Sequence, residues 1–135
     1  MMNIFLKKAA LTWFLFIPLA VINGTVRELL YKPHIGELLA HQISTFLASI
    51  AVIAVAYFLL VKEIENISDK TLLIIGFLWV SLTVGFEFSF GYYVEHLSVS
   101  KMIADYNLLN GRVWILFLII VFLTPLTVKA LHKVL

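Results

Sequence analysis

Residues 38–61 read LLAHQISTFLASIAVIAVAYFLLV, a run without a single Asp, Glu, Lys or Arg. As a helix these residues would rise about 36 Å, enough to cross the roughly 30 Å of bilayer hydrocarbon. The run is polar at its start, where His41, Gln42, Ser44 and Thr45 fall, and apolar from there on. It predicts a transmembrane helix whose first turns lie among the head groups. Working outward, three more apolar runs predict spans over about residues 6–26, 71–90 and 113–130. The first holds Pro18 and the fourth Pro125; a span tolerates proline where neighbouring groups satisfy the freed carbonyl. The expected fold is all-α: an integral membrane bundle of four antiparallel transmembrane helices forming one domain over residues 1–135.

Composition agrees with that expectation. The 135 residues are 62% hydrophobic and 13% charged, against roughly 45–50% and 25% in soluble domains. Four spans leave no room for a separate soluble domain. There is no cysteine, so disulfides, thiolate metal sites and CxxC redox chemistry are excluded. The formal charge is only +2 and its cations are scattered, unlike the clustered basic face of a nucleic-acid binder. No nucleic acid is expected as a partner.

Lys7 and Lys8 before the apolar run 9–22 resemble the start of a secretory signal. No small-x-small cleavage site follows, Asn23-Gly24-Thr25 being a poor substitute, so an uncleaved first span is expected. The connection 25–37 contains Pro33, which suits the first turn of a helix and predicts a second helix starting near His34. Residues 62–70, KEIENISDK, lack an apolar period and read as a solvated loop without function. Before the fourth span, Val99, Met102, Ile103, Tyr106 and Leu109 recur at three- and four-residue spacing, with Ser98 placed as N-cap and Gly111 placed to end the helix. This predicts a short interfacial helix. Lys7, Lys8, Lys62, Lys70, Lys129 and Lys133 fall on the side of both termini, against Arg27, Lys32, Lys101 and Arg112 on the other. The positive-inside rule then puts both termini in the cytoplasm of a multi-pass cell-membrane protein.

Antiparallel packing collects the polar residues in the other leaflet. Asn23, Arg27 and Glu28 end the first span, His34, Glu37, His41 and Gln42 open the second, Glu87 lies near the end of the third, and Asp105, Tyr106, Asn107 and Arg112 precede the fourth. Both arginines are in this set, and arginine is the cation that pairs bidentately with carboxylate or phosphate in partly dry surroundings. An ionisable group at membrane depth costs at least about 2.5–3.5 kcal/mol, so such groups face the interior and pair. The expectation is a charge-paired network of Arg27, Glu28, His41, Glu87, Asp105 and Arg112. Glu87, between Phe86 and Phe88, is either a structural ion pair with Arg27 or Arg112 or a substrate or proton site. His34, Glu37 and His41 are spaced by three and four and would share one helical face if the helix began at Pro33. That spacing permits a divalent metal, with Glu28, Glu87 or Asp105 completing the ligands. Interfacial hydrogen bonding is the favoured reading, with no metal and no cofactor. Ser44, Thr45 and Ser49 read as helix-bonded hydroxyls, and Trp13, Tyr31, Tyr92, Tyr93 and Trp114 as anchors at the membrane interfaces. Catalytic triads, phosphate loops and zinc-protease motifs do not occur in the sequence.

Asn23-Gly24-Thr25-Val26-Arg27-Glu28, Gly36 with His41-Gln42-Ile43-Ser44-Thr45, Phe86-Glu87-Phe88 with Gly91, and Asp105-Tyr106-Asn107 with Gly111-Arg112-Val113-Trp114 together form a recognisable set. The set resembles a family of small, uncharacterised prokaryotic four-span membrane proteins, and the resemblance covers nearly the whole chain. It implies the same fold and picks out the same polar cluster without naming a reaction.

Three functions compete at this level. The first is binding or transport of an ion or small solute through the polar cluster, by an oligomer that meets through a helix-three face with Gly76, Ser81 and Gly85. The second is a structural or accessory subunit docked to a larger membrane partner. The third is an enzyme acting on a lipid or quinone, with His41 or Glu87 as acid or base; no nucleophile stands out for it, and no catalytic residue is assigned.

Overall fold

The computed structural model describes residues 2–104 and 113–135. Among these, α1 (Met2–Val26), α3 (Glu37–Leu60), α4 (Asp69–Tyr93) and α6 (Trp114–Val134) are the long helices, each long and apolar enough to cross a membrane. They pack as an antiparallel bundle, and the chain is a multi-pass membrane protein. Neighbouring helices meet in the order α1, α3, α6, α4.

One end of the bundle, the loop end, gathers the two outermost segments of the chain and the 61–68 turn. There Lys8 Nζ stands 2.8 Å from Glu63 Oε1, and Lys129 Nζ donates to the Ile67 carbonyl at 2.7 Å and to Asp69 at 3.0 Å. His132 Nε2 lies 3.6 Å from Glu65. These contacts fix α1 and α6 to the turn that joins α3 to α4. The turn is thus solvated at its charged residues other than Glu63, as expected, but it is not solvated throughout. It contains a 3-10 turn, Ile64–Asn66, and it buries Ile64 and Ile67 completely or nearly so. The two isoleucines, three apart, belong to the same buried core as Phe5, Leu60, Leu72 and Val128. α4 starts two residues before the expected span, on a Ser68 cap whose Oγ accepts from the Thr71 amide at 3.2 Å.

The first connection departs most from expectation. Helix continues past Val26 through a π-helical turn, Arg27–Tyr31, into the single turn α2 (Lys32–Ile35). Pro33 opens only that turn. The chain reverses at Gly36, whose φ of +88° is the left-handed conformation that glycine adopts without steric cost, and the second span begins at Glu37. At the same end of the bundle α5 (Val99–Ala104) starts on a Ser98 cap, as the sequence predicts, with Ser98 Oγ accepting from Lys101 at 3.2 Å. Met102 is buried against Gly91 of α4. The expected Tyr106, Leu109 and Gly111 parts of this helix lie outside the described residues.

Two kinds of contact set the helix spacing. Gly76 lets α4 approach α6 so closely that a Cβ there would overlap the Phe122 carbonyl oxygen. Gly76 is thus used inside the chain, while Ser81 and Gly85 stay exposed on another face of α4, so the three do not form one surface for self-association. Between α1 and α4 the gap is filled by indoles. Trp79 Nε1 donates to the Ala9 carbonyl at 3.2 Å, Trp13 Nε1 donates to Thr83 Oγ1 at 3.1 Å, and Phe16 packs edge-on to Trp79. Trp13, expected as an interface anchor, bridges two helices through this bond. In α6, Pro125 is buried and flanked by Thr124, whose hydroxyl donates to the Ile120 carbonyl at 2.6 Å.

Candidate functional site

The inner face of α3 changes character halfway along. His41, Ser44, Thr45 and Ser49 are all buried, and beyond them the same face carries Val52, Ala56 and Leu60. Their spacing of three and four residues puts the polar four on one stripe. Two of the hydroxyls satisfy themselves on their own helix: Thr45 donates to the His41 carbonyl at 2.7 Å and Ser49 to the Thr45 carbonyl at 2.8 Å. Ser44 differs. Only 1% exposed, it accepts a hydrogen bond from Arg27 Nη1 at 3.2 Å while donating a longer one, 3.4 Å, to the His41 carbonyl.

The π-helical turn explains how Arg27 gets there. Its i→i+5 bonding, seen in the Lys32 amide donating to the Arg27 carbonyl, widens the helix by one residue and turns Arg27 toward α3. The guanidinium folds back beside Gly24, where a Cβ would stand 3.6 Å from Nη2. Arg27 Nε is 3.7 Å from Glu28 Oε1, but Glu28 is held more tightly by Lys32, at 2.9 Å. The same turn buries the Tyr31 hydroxyl without a hydrogen-bond partner. The His41 ring lies 6.4 Å from that of Trp114, which stacks at 4.4 Å on Phe117.

Of the residues expected in the cluster, Arg27 reaches Ser44, which bonds the backbone carbonyl of His41; Glu28 lies beside Arg27 with its side chain half exposed, and Asn23 is half-buried one turn earlier on α1. Glu87 is half-buried on α4. Asp105, Tyr106, Asn107 and Arg112 lie outside the described residues. The three-residue metal-ligand spacing does not survive: Gly36 breaks the helix between His34 and Glu37, both exposed, so His34 is cut off from the α3 face that Glu37 and His41, four residues apart, still share. No group of three or more metal-ligating side chains occurs among the described residues.

Sequence reasoning passed over Ser44 as a partner for Arg27 and Tyr31 as a buried donor. The 41, 44, 45, 49 spacing was a readable signal for the first; no sequence signal announces a π-helical turn. Two shallow clefts on the outside of the bundle, about 360 Å³ between α3 and α6 and about 280 Å³ between α4 and α6, are lined by apolar side chains with Tyr57 and carry no charge. They suit lipid tails and not a polar solute. Comparison with protein families, with curated proteins and with solved structures finds no match to this chain.

Proposed function

We propose that this protein of the cell membrane, with both termini in the cytoplasm, binds an ion or small solute at its polar end and works as an oligomer. In this reading it is one of the small prokaryotic four-span proteins that its motifs resemble. The observation that carries the reading is the one-sided stripe on α3. Its polar half, His41 to Ser49, receives an arginine from the π-helical turn after α1, while its apolar half, Val52 to Leu60, is buried in the core with Phe5, Ile64 and Val128. A guanidinium turned toward a nearly inaccessible serine inside a membrane bundle is expensive unless it is used. The blind end favours binding, because a through path would require more subunits. Four lysines at the loop end, Lys7, Lys62, Lys70 and Lys133, make no ion pair among the described residues, which supports placing that end in the cytoplasm. Ser81 and Gly85, exposed four residues apart on α4, are the face for self-association.

Native mass spectrometry of protein released from mild detergent tests the proposal. The expected result is a defined oligomer that retains a small non-lipid mass, with that mass lost in His41→Ala. A bare monomer that is indistinguishable in the two proteins would refute it and favour an accessory subunit stripped of its partner.

A further inference from the structure

The donors at the polar end specify the charge of what binds there. Arg27 offers five N–H groups, of which one, on Nη1, is spent on a neutral hydroxyl, that of Ser44. Its nearest described carboxylate, Glu28, sits 3.7 Å from Nε and is shared with Lys32 at 2.9 Å, so one negative charge answers two positive ones. Four residues on, across one widened helical turn, the Tyr31 hydroxyl is buried with no acceptor. The turn that carries both packs on α3, the helix that holds Ser44.

A cation at this place would meet a guanidinium. An apolar group would leave both donors unanswered. A group with two or more acceptor oxygens and a negative charge would answer both, in the bidentate manner that guanidinium favours. Leu29 and Leu30, in the same turn, are 70% and 64% exposed, so the segment borders lipid as well as the bundle interior. An acceptor could therefore arrive in the head group of a lipid or as a free solute.

From this we infer that the ligand of the polar end is an oxyanion of the phosphate or carboxylate class, bound by the Arg27 guanidinium with the Tyr31 hydroxyl as second donor. The inference rests on the proposal that this end is a binding site, and it adds the chemical class and the two residues that select it.

The test uses the full chain in neutral detergent, with thermal unfolding followed in inorganic phosphate and in chloride at equal ionic strength. In a second arm, native mass spectrometry is applied to protein taken from vesicles of equal phosphatidylglycerol and phosphatidylcholine. Phosphate is expected to raise the unfolding temperature, with an apparent Kd weakened about tenfold or more in Arg27→Gln and several-fold in Tyr31→Phe. Tyr31→Phe removes a hydroxyl that has no partner, so it should fold at least as stably as the parent in chloride and keeps the test sound if Arg27→Gln folds poorly. Retention of phosphatidylglycerol over phosphatidylcholine, lost in the same order of variants, would support the inference with a lipid head group as the source. Neither anion binding, or equal binding by parent and both variants, would overturn it. A cation or neutral solute retained at the polar end and lost in His41→Ala would overturn the oxyanion while leaving the binding proposal in place.

Discussion

Gly76 gives the sharpest test of the packing. A Cβ built there would overlap the carbonyl oxygen of Phe122 and stand 3.0 Å from its carbonyl carbon and 3.3 Å from its Cα. All three are backbone atoms of α6, so no side chain can rotate away, and α4 and α6 must separate. α6 is held from the other side by α3, which makes the separation felt across the bundle. Overpacking of this kind costs about 1–3 kcal/mol, and the intrinsic gain of alanine over glycine in a helix returns up to about 1 kcal/mol. Gly76→Ala should then destabilise by about 1–2 kcal/mol, and Gly76→Leu by more. Two other glycines calibrate the measurement. At Gly91 the nearest atom to a Cβ is Met102 Sδ, at 2.6 Å, the end of a flexible side chain; at Gly85 nothing lies within 4 Å. Unfolding by sodium dodecyl sulfate titration in mixed micelles should rank the alanine variants Gly76 worst, Gly91 next and Gly85 neutral or stabilised. If Gly76→Ala proved no worse than Gly85→Ala, the close approach of α4 to α6 would be wrong.

Thr83→Val keeps the shape of its side chain but leaves the Trp13 indole N–H, 3.1 Å from the lost hydroxyl, without its acceptor. A loss of about 1–2 kcal/mol is expected, and a cycle with Trp13→Phe should show coupling; additive losses would rule out the Trp13–Thr83 bond. At the loop end, Glu63 is only 16% exposed at its side chain and has one oxygen on Lys8 and the other buried without a partner. Lys8→Met should cost about 1–2 kcal/mol, and adding Glu63→Leu should recover part of it. A double variant worse than the single one would contradict the pairing. The natural chain has no cysteine, so single cysteines report sidedness cleanly: in intact cells an impermeant maleimide should label Glu95→Cys and spare Ser68→Cys until the membrane is opened, and the reverse pattern would invert the proposed orientation.

How much of this was legible in the sequence depends on how local the cause is. The long helices follow from uninterrupted apolar runs, and Ser98 was found as a cap because its bond spans three residues. The failures are cases where a local signal had two outcomes. Pro33 can open a helix, and it does, but Gly36 ends that turn at once, so His34 is separated from the helix that Glu37 and His41 share. Ile64 and Ile67 were hidden by the charges around them; three apart, they share a side only once the 3-10 turn forms. Trp79 and Glu63 depend on partners 70 and 55 residues away, which no window of sequence contains. Within the expected polar cluster, Arg27 and the His41 carbonyl are linked through Ser44, which the charge-paired reading of the sequence does not include.

Buried oxygen atoms alone do not mark a site in this protein, because most of them are occupied locally. Thr12, Thr45, Ser49 and Thr124 each donate to the carbonyl four residues back, at 2.6–2.8 Å, as hydroxyls commonly do in spanning helices. These bonds would form in any isolated helix and carry no information about neighbours. Ser44 is set apart by the direction of its bond: it accepts, from a charged group on another element. A structural role for that bond and a binding role make different demands. If Arg27 serves only to join α1 to α3, then removing the hydroxyl in Ser44→Ala strands the guanidinium and should destabilise by about 1–3 kcal/mol whatever anion is present. If Arg27 is held there for a ligand, the same substitution should weaken anion binding, and a saturating anion should restore most of the lost stability, because the ligand's oxygens replace the serine's. The stability of one serine variant, measured with and without phosphate, therefore separates a strut from a site.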